Sequence, residues 1–448
     1  MLTHDRAAII SIGDELILGQ TLDTNSQWLS TQLGEWNIRV VEHVTVPDDL
    51  EAHAAAIERL ARAVPLVICT GGLGPTADDL TREALARVMG EQLITDADSL
   101  ARIEALFAKR ARPMTDLQRT QALRPRSAVS LRNDHGTAPG LFGRVQIGRD
   151  PCEVFCLPGP PNEMRPMLLE VVRPMLRPPV GRVVGVRVLH TLGMGEGDLA
   201  ARLGPLMDRA RNPLVGTTAS GGIVSIRIRC EGLDAPATAA ALDETEQLCR
   251  HAASPFVFGA GDDTLMSATI DLLRGRGEKL VTVESCTGGM VGSLLTSVPG
   301  SSDVYLGGWV TYANEMKAAE VGVPEAMIAE HGAVSEQVAC AMAEGALRSQ
   351  PAAHHAIAIT GIAGPGGGSA LKPVGTVFIA VASCHGLASS TSRAPTSDER
   401  MKSTEIRRFI FSGGREAVRD RAAKMALAMV RFRAAGVEPG RLLWEVSG

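Results

Sequence analysis

Short apolar runs alternate with helical stretches through the first third of the chain, and this alternation limits the fold more than any other feature. The runs include "AAIISIG", "PLVICTGG" and "CEVFCLPG", and the helical stretches include "TNSQWLSTQLGEW", "LEAHAAAIERLARAV" and "LTREALARVMG". Short buried strands separated by amphipathic helices predict a parallel sheet that is covered on both faces. Residues 1–175 are therefore predicted to form an α/β domain of three layers.

Two further domains are predicted after this one. Three prolines, Pro174, Pro178 and Pro179, break the pattern and predict a linker over residues 173–182. Residues 180–260 run in the order strand, helix, strand, strand, helix, strand, which is typical of a ferredoxin-like α+β domain and is interpreted as a spacer or assembly module. Residues 262–437 are predicted to form a second α/β domain. A chain of 448 residues has room for three domains of roughly 150 residues each.

Composition narrows the classes of partner. The formal net charge of -5 offers no basic face for a nucleic acid, so no nucleic-acid partner is predicted. The apolar runs all fall short of the ~18 residues that a membrane span requires, so no membrane partner is predicted. Eight cysteines without a CxxC pair, and a start without a signal peptide, predict a cytoplasmic protein with reduced thiols.

Acidic and glycine-rich loops follow the predicted strands of the first domain, at 13–26, 70–81 and 133–140. Ligands of open α/β sheets bind at the carboxyl ends of the strands, and carboxylates beside a phosphate site call for a hard divalent cation. The alternative is that Asp78 and Asp79 only cap the following helix. The predicted site comprises Asp14, Glu15, Asn25, Gly72, Gly74, Thr76, Asp78, Asp79 and Asn133, with Asp78 and Asp79 as metal ligands.

The last domain contains the motif "ESCTGG" at 284–289, which raises the question of a nucleophile. Neither a P-loop nor a GxSxG elbow is present. No histidine in a suggestive motif lies near Cys286 to activate its thiol, so this residue is predicted to pack in the core. A serine paired with a neutral lysine is one solution, and Lys317 is the only lysine between Lys279 and Lys372. The alternative is that Lys317 is a solvated lysine at the start of a helix.

These motifs, together with "LPGPPNEM", "HGAVS", "TGIAGPGGG" and "FSGGREAVR", resemble the CinA family (competence/damage-inducible protein A). The resemblance implies a first domain with the molybdopterin-binding, MoaB/MogA-like fold and a last domain that is a nicotinamide-nucleotide amidase. It also implies a homodimer. A divalent metal ion is expected for an ADP-ribose pyrophosphatase activity of the first domain, and no cofactor for the amidase.

The resemblance also assigns residues. The catalytic Ser, Tyr and Lys of the family match Ser302, Tyr312 and Lys317, so Ser302 is predicted to attack the amide while Lys317 and Tyr312 transfer protons. Thr360 is predicted to help stabilise the oxyanion. The predicted substrate-binding residues are Ser285, Gly288, Gly289, Gly361, Gly364 and Arg415.

The function expected from these features is deamidation of nicotinamide mononucleotide (NMN) in pyridine nucleotide recycling, with ADP-ribose hydrolysis in the first domain. NMN and ADP-ribose are therefore the expected small-molecule partners. Two alternatives stay open. One is an amidase whose first domain is an inactive nucleotide-binding domain, and the other is a non-catalytic, competence-associated binding protein.

Overall fold

The computed structural model describes residues 2–147, 150–181, 183–384 and 401–446, apart from the side chains of 401 and 402. The chain divides into two compact units, Met1–Gly185 with Glu231–Thr238, and Val186–Cys230 with Ala239–Gly448. The predicted middle domain therefore belongs to the same unit as the last domain. Among the described residues, no helix combines the length and apolar character needed to cross a membrane.

The first unit is built on a six-stranded sheet in the order β2-β1-β3-β8-β7-β6, beside a two-stranded sheet β4-β5. Its strands are β1 (Arg6–Ile12), β2 (Arg39–Val46), β3 (Leu66–Thr70), β4 (Leu93–Thr95), β5 (Leu123–Pro125), β6 (Val129–Leu131), β7 (Gly140–Gln146) and β8 (Pro151–Leu157). Its helices are α1 (Asp14–Ile17), α2 (Thr24–Glu35), α3 (Leu50–Ala61), α4 (Thr81–Met89), α5 (Ala97–Lys109), α6 (Asp116–Arg119) and α7 (Pro161–Met167).

Helices cover both faces of this sheet, as the alternation predicted. Successive residues of β1 point to opposite faces, so Ala8 and Ile10 join one core cluster with α3 and α4, while Ala7 and Ile9 join another with α2 and α7. Strands β2, β1, β3 and β8 are parallel, whereas β7 and β6 are antiparallel because each follows or precedes its neighbour through a short connection. The predicted three-layer fold is confirmed, with an antiparallel edge. Within the predicted linker 173–182, residues 173–175 form a 3₁₀ turn, and residue 182 lies outside the described part.

The middle domain has the ferredoxin-like order that the sequence predicted. Its elements are β9 (Val183–Leu192), α8 (Glu196–Leu203), β10 (Leu214–Ser220), β11 (Ile223–Gly232), α9 (Ala235–Ala252) and β12 (Val257–Ala260). The four strands pair in the order β10-β11-β9-β12, so the first and third strands occupy the centre of the sheet. This order is that of the split β-α-β unit repeated twice.

The last domain has a five-stranded sheet in the order β14-β13-β15-β16-β17, with β14, β13 and β15 parallel and the other two antiparallel. Its strands are β13 (Leu280–Glu284), β14 (Tyr305–Val310), β15 (His355–Gly361), β16 (Thr376–Cys384) and β17 (Met401–Ile410). Its helices are α10 (Leu265–Arg276), α11 (Met290–Thr296), α12 (Asn314–Val321), α13 (Glu325–His331), α14 (Glu336–Ser349) and α15 (Arg415–Ala435).

The middle and last domains share one continuous core. Helix α15 is buried along most of its length, and its residues belong to the same apolar cluster as Leu189, Ile226 and Phe256 of the middle domain. The Phe256 and Phe432 rings meet edge to face with centroids 6.0 Å apart. The chain beyond residue 437 joins the same cluster through buried Leu442. This packing explains why the two domains form one compact unit.

Candidate functional sites

The loops that follow β1, β3 and β8 meet at one edge of the first sheet, because these strands are parallel neighbours. They surround a cleft with a volume of about 360 Å³. The side chains and turns that line the cleft include Glu15, Asp48, Gly71, Gly72, Gly74, Thr76, Asp78, Asp79, Gln121 and Glu163. The structure therefore brings together Glu15, Gly72, Gly74, Thr76, Asp78 and Asp79 of the predicted site.

The turn after β3 can be formed only by glycine at two positions. Gly71 and Gly72 have φ angles of 107° and 65°, in the region that favours glycine. A Cβ atom on Gly71 would lie 2.4 Å from the Ile12 carbonyl oxygen, and one on Gly72 would lie 2.3 Å from Thr81 Oγ1. The backbone of this turn consequently lies directly against β1 and α4, and it lines the cleft without side chains.

Asp79 does not fit its predicted role as a metal ligand. Its carboxylate accepts hydrogen bonds from the Gly74 N–H and the Thr76 N–H, both at 2.8 Å, and from the Thr76 hydroxyl. Both oxygens therefore hold the turn together. Asp78 is fully exposed at the cleft, where hydrogen bonding from Thr76 lowers the pKa of its carboxyl group. Among the described residues, no three Asp, Glu, His or Cys side chains gather in a group that could hold a metal ion.

Three other predicted residues of this site hold loops and do not line the cleft. The Asp14 carboxylate accepts the Asp48 N–H at 3.1 Å, so it fixes the start of α1. The Asn25 amide donates to the Gly159 carbonyl at 2.7 Å, which joins α2 to the loop after β8. The Asn133 amide donates to the Ala138 carbonyl at 2.8 Å across the loop 133–140. These three residues therefore fix the loops around the cleft without lining it.

Arg82 is a residue of this site that the sequence reasoning missed. Its guanidinium group is buried beneath the glycine turn and donates to the Leu73 carbonyl at 2.8 Å and the Gly74 carbonyl at 2.6 Å. One signal was available, because a cation in the first turn of a helix opposes the helix dipole and needs another reason to be there. That reason is the clamp on the turn.

In the last domain, the loop that begins with Ser285 lies between the ends of two neighbouring strands. The Ser285 N–H donates to the Ile359 carbonyl of β15, and the Thr311 N–H after β14 donates to the Glu284 carbonyl, both at 2.9 Å. The carboxylate of Glu284 accepts the N–H groups of Val291 and Gly292, so this buried acid caps α11. Sequence reasoning missed Glu284, which fixes the loop on both sides of Ser285.

Lys317 is buried beside Ser285. The side chain of Lys317 is only 1% exposed, and its Nζ lies 3.4 Å from Ser285 Oγ. The same nitrogen donates to the Thr311 carbonyl at 2.9 Å and the Tyr312 carbonyl at 3.3 Å. Burial lowers the pKa of Lys317 below the ordinary 10.5 of a lysine, with a weaker opposing effect from Glu315. A neutral amine here can donate two hydrogens to carbonyl groups and accept the Ser285 hydroxyl proton with its lone pair.

Ser302 does not reach Lys317, which corrects the predicted nucleophile. Ser302 belongs to the exposed 3₁₀ turn before β14, whereas Lys317 follows β14. The six residues of β14, at about 3.3 Å each, put roughly 20 Å of extended chain between the two positions. The prediction for Ser285 changes accordingly, from a residue that holds the substrate to the serine that lies beside the lysine.

Thr360 is not free to act as the predicted oxyanion donor. Its hydroxyl donates to the Ala333 carbonyl at 2.8 Å, and a hydroxyl has one proton to give. Thr360 therefore joins the end of β15 to the "HGAVS" loop. Gly361 lies next to it, and a Cβ atom there would be 2.7 Å from the Val377 side chain.

Arg415 and Tyr312 meet at the rim of this site. Arg415 begins α15 and donates to the Gly364 carbonyl at 2.8 Å and the Tyr312 hydroxyl at 3.1 Å. Tyr312 is 62% exposed. One turn along α15, Arg419 donates to the Thr287 carbonyl at 2.8 Å, close to Gly288. The sequence predicted Arg415 at this site but missed Arg419, although its i+4 spacing puts both on one face of the helix.

Cys286 is buried, as expected of a packing residue. Burial raises the pKa of its thiol to about 12, with Glu284 raising it further and Arg415 and Arg419 opposing the rise. Such a thiol stays protonated at neutral pH, so it is a poor nucleophile. Gly288 and Gly289, with φ angles of 60° and 90°, carry the chain from this residue into α11.

Comparison with known proteins gives the same domain order. Residues 8–178 match the family model described as the probable molybdopterin binding domain, residues 186–259 the damage-inducible protein CinA KH domain, and residues 262–433 the CinA C-terminal domain. A CinA-like protein of Gemmatimonas aurantiaca is 40% identical over 428 residues, which cover 94% of this chain and 95% of that protein. A CinA-like protein of a Synechococcus species is 43% identical over 376 residues, which cover 84% of this chain and 89% of that protein.

Proposed function

Because the chain belongs to the CinA family, we propose that its last domain deamidates NMN, with Ser285 as the nucleophile and Lys317 as the general base. The observation that carries the proposal is the 3.4 Å contact between Ser285 Oγ and the buried Lys317 Nζ. A serine needs a base within hydrogen-bond reach, and a desolvated lysine is neutral often enough to serve. Deamidation of NMN would serve pyridine nucleotide recycling.

The chemistry is acyl transfer. Ser285 Oγ forms a bond to the carboxamide carbon of the nicotinamide as its proton passes to Lys317 Nζ. The tetrahedral intermediate collapses when the C–N bond breaks, and the lysine returns the proton to the departing nitrogen, which leaves as ammonia. Water then attacks the acyl-enzyme, with Lys317 again taking the proton. The bond between Ser285 Oγ and the acyl carbon breaks, Lys317 returns the proton to Ser285 Oγ, and nicotinic acid mononucleotide leaves. Each transfer is general acid–base catalysis by one positioned amine.

The rim of the site supports a substrate with a phosphate group. Arg415 and Arg419 have no ion-pair partner among the described residues, and both exert a charge effect on Cys286 beside Ser285. Guanidinium groups recognise phosphate oxygens through charge-assisted hydrogen bonds. We assign the phosphate of NMN to this rim, with the carboxamide directed at Ser285.

Ammonia release from NMN tests the proposal, with Ser285 and Ser302 as matched serines. Ser285→Ala should lose turnover by several orders of magnitude, because removal of a nucleophile leaves only binding and electrostatic effects. Ser302→Ala should keep turnover close to that of the unmodified protein, because this residue lies at the other edge of the sheet. No ammonia from the unmodified protein, or the reverse ranking of the two variants, would show the mechanism to be wrong.

For the first domain, we propose binding and hydrolysis of ADP-ribose in the 360 Å³ cleft. The support is the glycine turn that lines the cleft, whose backbone allows close approach of a pyrophosphate, beside the exposed Asp78 carboxylate. A divalent ion remains part of this proposal, although the Asp78 and Asp79 pair does not fit it. Hydrolysis should stop on addition of EDTA and fall in Asp78→Asn, while exposed Asp98→Asn serves as the control. Hydrolysis that is unaffected by EDTA would remove the metal from the proposal.

The same assays separate the two alternatives. Ammonia release without ADP-ribose hydrolysis would indicate an amidase with an inactive first domain. Neither reaction, with nucleotide binding detected by calorimetry, would favour the non-catalytic binding protein. The buried Lys317 beside Ser285 argues against that last hypothesis, because burial of an amine that pairs with no carboxylate among the described residues costs stability and calls for a functional reason.

A further inference from the structure

The contact between Arg415 and Tyr312 occupies two groups that deamidation of NMN would need elsewhere. Arg415 donates to the Tyr312 hydroxyl and to the Gly364 carbonyl, so its guanidinium bridges the loops after β14 and β15. Both acceptors are neutral. Among the described residues, no carboxylate pairs with Arg415. The bridge therefore joins a charged donor to two neutral acceptors, without a carboxylate to balance its charge.

Tyr312 is anchored to the catalytic pair through its backbone and not through its side chain. Its carbonyl accepts from Lys317 Nζ at 3.3 Å, while its phenol extends to Arg415 and leaves the residue 62% exposed. A rotation about the side-chain bonds, with the backbone fixed, would redirect the hydroxyl. Rotamer changes of this kind in exposed residues take picoseconds to nanoseconds.

Two side-chain donors of the site are already used in its present arrangement. The Thr360 hydroxyl is used by the Ala333 carbonyl, and Lys317 in its neutral form gives its hydrogens to backbone carbonyls. A donor that meets the developing oxyanion is typically worth a factor of ~100 to 1,000 in turnover. Besides the buried Thr287 and Thr311 hydroxyls, which have no hydrogen-bond partner among the described residues, the Tyr312 hydroxyl is a candidate donor once Arg415 releases it.

On the basis of the function proposed above, we propose that the phosphate of the substrate acts as an activator: it draws Arg415 away from Tyr312, and the freed phenol then donates to the reacting amide. A guanidinium group and a phosphate dianion form bidentate hydrogen bonds in which both partners are charged, whereas the Tyr312 hydroxyl and the Gly364 carbonyl are neutral acceptors. The exchange is therefore favourable for Arg415. Arg415 thus determines specificity through turnover as well as through binding.

The test uses nicotinamide riboside, which has the amide but not the phosphate, with and without phosphite dianion as the missing piece. In the unmodified protein, phosphite should raise ammonia release from nicotinamide riboside roughly 10- to 100-fold, the range that one charge-assisted hydrogen bond can supply. Arg415→Ala should abolish the activation. Arg421→Ala is the matched control, because Arg421 lies on the same helix but donates to the Ser412 backbone, away from the rim.

Tyr312→Phe distinguishes the proposed latch, in which Arg415 holds the Tyr312 hydroxyl until the phosphate draws Arg415 away, from simple phosphate binding. This variant keeps Arg415, so KM for NMN should change little, but kcat should fall and phosphite should no longer activate. Full phosphite activation in Tyr312→Phe, or a riboside hydrolysed as fast as NMN by the unmodified protein, would overturn the latch while leaving the deamidase proposal standing. If NMN itself gives no ammonia, the deamidase proposal fails, and the latch fails with it.

Discussion

Lys317 is the residue whose environment departs most from what its sequence position suggests. A lysine near the start of a helix is usually solvated, yet this one is buried among carbonyl groups beside Ser285. Burial disfavours the charged form, so the amine that the proposed chemistry needs is also the form that the fold prefers. Catalysis and stability should therefore share one pH dependence.

The pH prediction follows from the direction of this shift. Because the pKa of Lys317 is lower in the folded protein than the 10.5 of the unfolded chain, the unfolded chain binds more protons between the two values, and stability rises with pH across that window. In Lys317→Met, that part of the rise should disappear, and ammonia release should be lost. Thermal unfolding of both proteins from neutral pH to pH 10.5 gives the comparison.

The pH dependence of activity is a second measurement of the protonation of Lys317. For the unmodified protein, kcat/KM for NMN should increase with pH through a limb below 10.5, as Lys317 loses its proton. Lys317→Arg should be inactive throughout, since arginine does not deprotonate in this range. A flat profile, or a Lys317→Met protein with unchanged pH dependence of stability, would contradict the assignment.

At the scale of elements, the short helix α11 is held by Glu284, the residue that precedes the proposed nucleophile. Glu284 ends β13, and its carboxylate accepts the N–H groups of Val291 at 3.1 Å and Gly292 at 2.9 Å. The acid is buried, so loss of its hydrogen bonds is not compensated by water. The loop that contains Ser285 is thereby fixed between the end of β13 and the capped start of α11.

Glu284→Gln should therefore lower both stability and turnover. The amide keeps one acceptor but turns an N–H₂ group toward a backbone N–H, so we expect a loss of about 1 to 3 kcal/mol in the free energy of unfolding. Ser285 should move with the loop, so kcat should fall more than KM changes. Glu336→Gln is the control, because this acid also begins a helix but is exposed. Equal effects in the two variants would mean that Glu284 contributes only through the helix dipole.

The elements show which features the sequence could predict. Apolar periodicity gave the three-layer first domain and the ferredoxin-like middle domain, because burial of one face or both faces of an element leaves a direct trace in the residue pattern. The change of the candidate nucleophile from Ser302 to Ser285 has a different cause, because it concerns the positions of loops and not the periodicity of elements. The family resemblance assigned Ser302 to act with Lys317, but a turn before a parallel strand and a loop after it lie at opposite edges of the sheet. The order of strand and motif contained that information.

The hydrogen-bond partners of polar side chains were harder to predict. Asp79 and Thr360 have the chemistry of ligands and donors, but backbone groups of their own loop or of a neighbouring loop take up their hydrogen bonds. Whether a polar side chain serves its own loop or a substrate depends on distances of a few ångströms, which residue type and spacing do not determine. Arg82 and Arg419 are the reverse case, because both support loops that the sequence had already singled out.

At the scale of the whole molecule, the two compact units have separate cores, and each contains one candidate site. Units with separate cores can unfold in separate cooperative transitions. A ligand stabilises only the unit that binds it, by about 2.7 kcal/mol when its concentration is one hundred times Kd.

The cytoplasmic location and the homodimer remain predictions.

Calorimetry of the Ser285→Ala protein, which should bind NMN without consuming it, tests this division. We expect two transitions, of which NMN raises one. Phe256→Ala, in the middle domain, should lower the free energy of unfolding for that same transition by about 3 to 5 kcal/mol, because it removes a buried ring that packs on Phe432. If Phe256→Ala instead lowers the transition that NMN leaves unchanged, or creates a third one, the middle domain does not share the core of the last domain.

The continuous core of the middle and last domains restricts how such a chain can be recombined. Phe432 packs on Phe256, and Arg431 donates from the end of α15 to the Phe258 carbonyl at 3.1 Å. A chimaera joined near residue 262 would set one parent's helix against a surface shaped for another sequence. A joint that keeps residues 186–446 from a single parent avoids this mismatch, so for protein engineering these two domains form one exchangeable part.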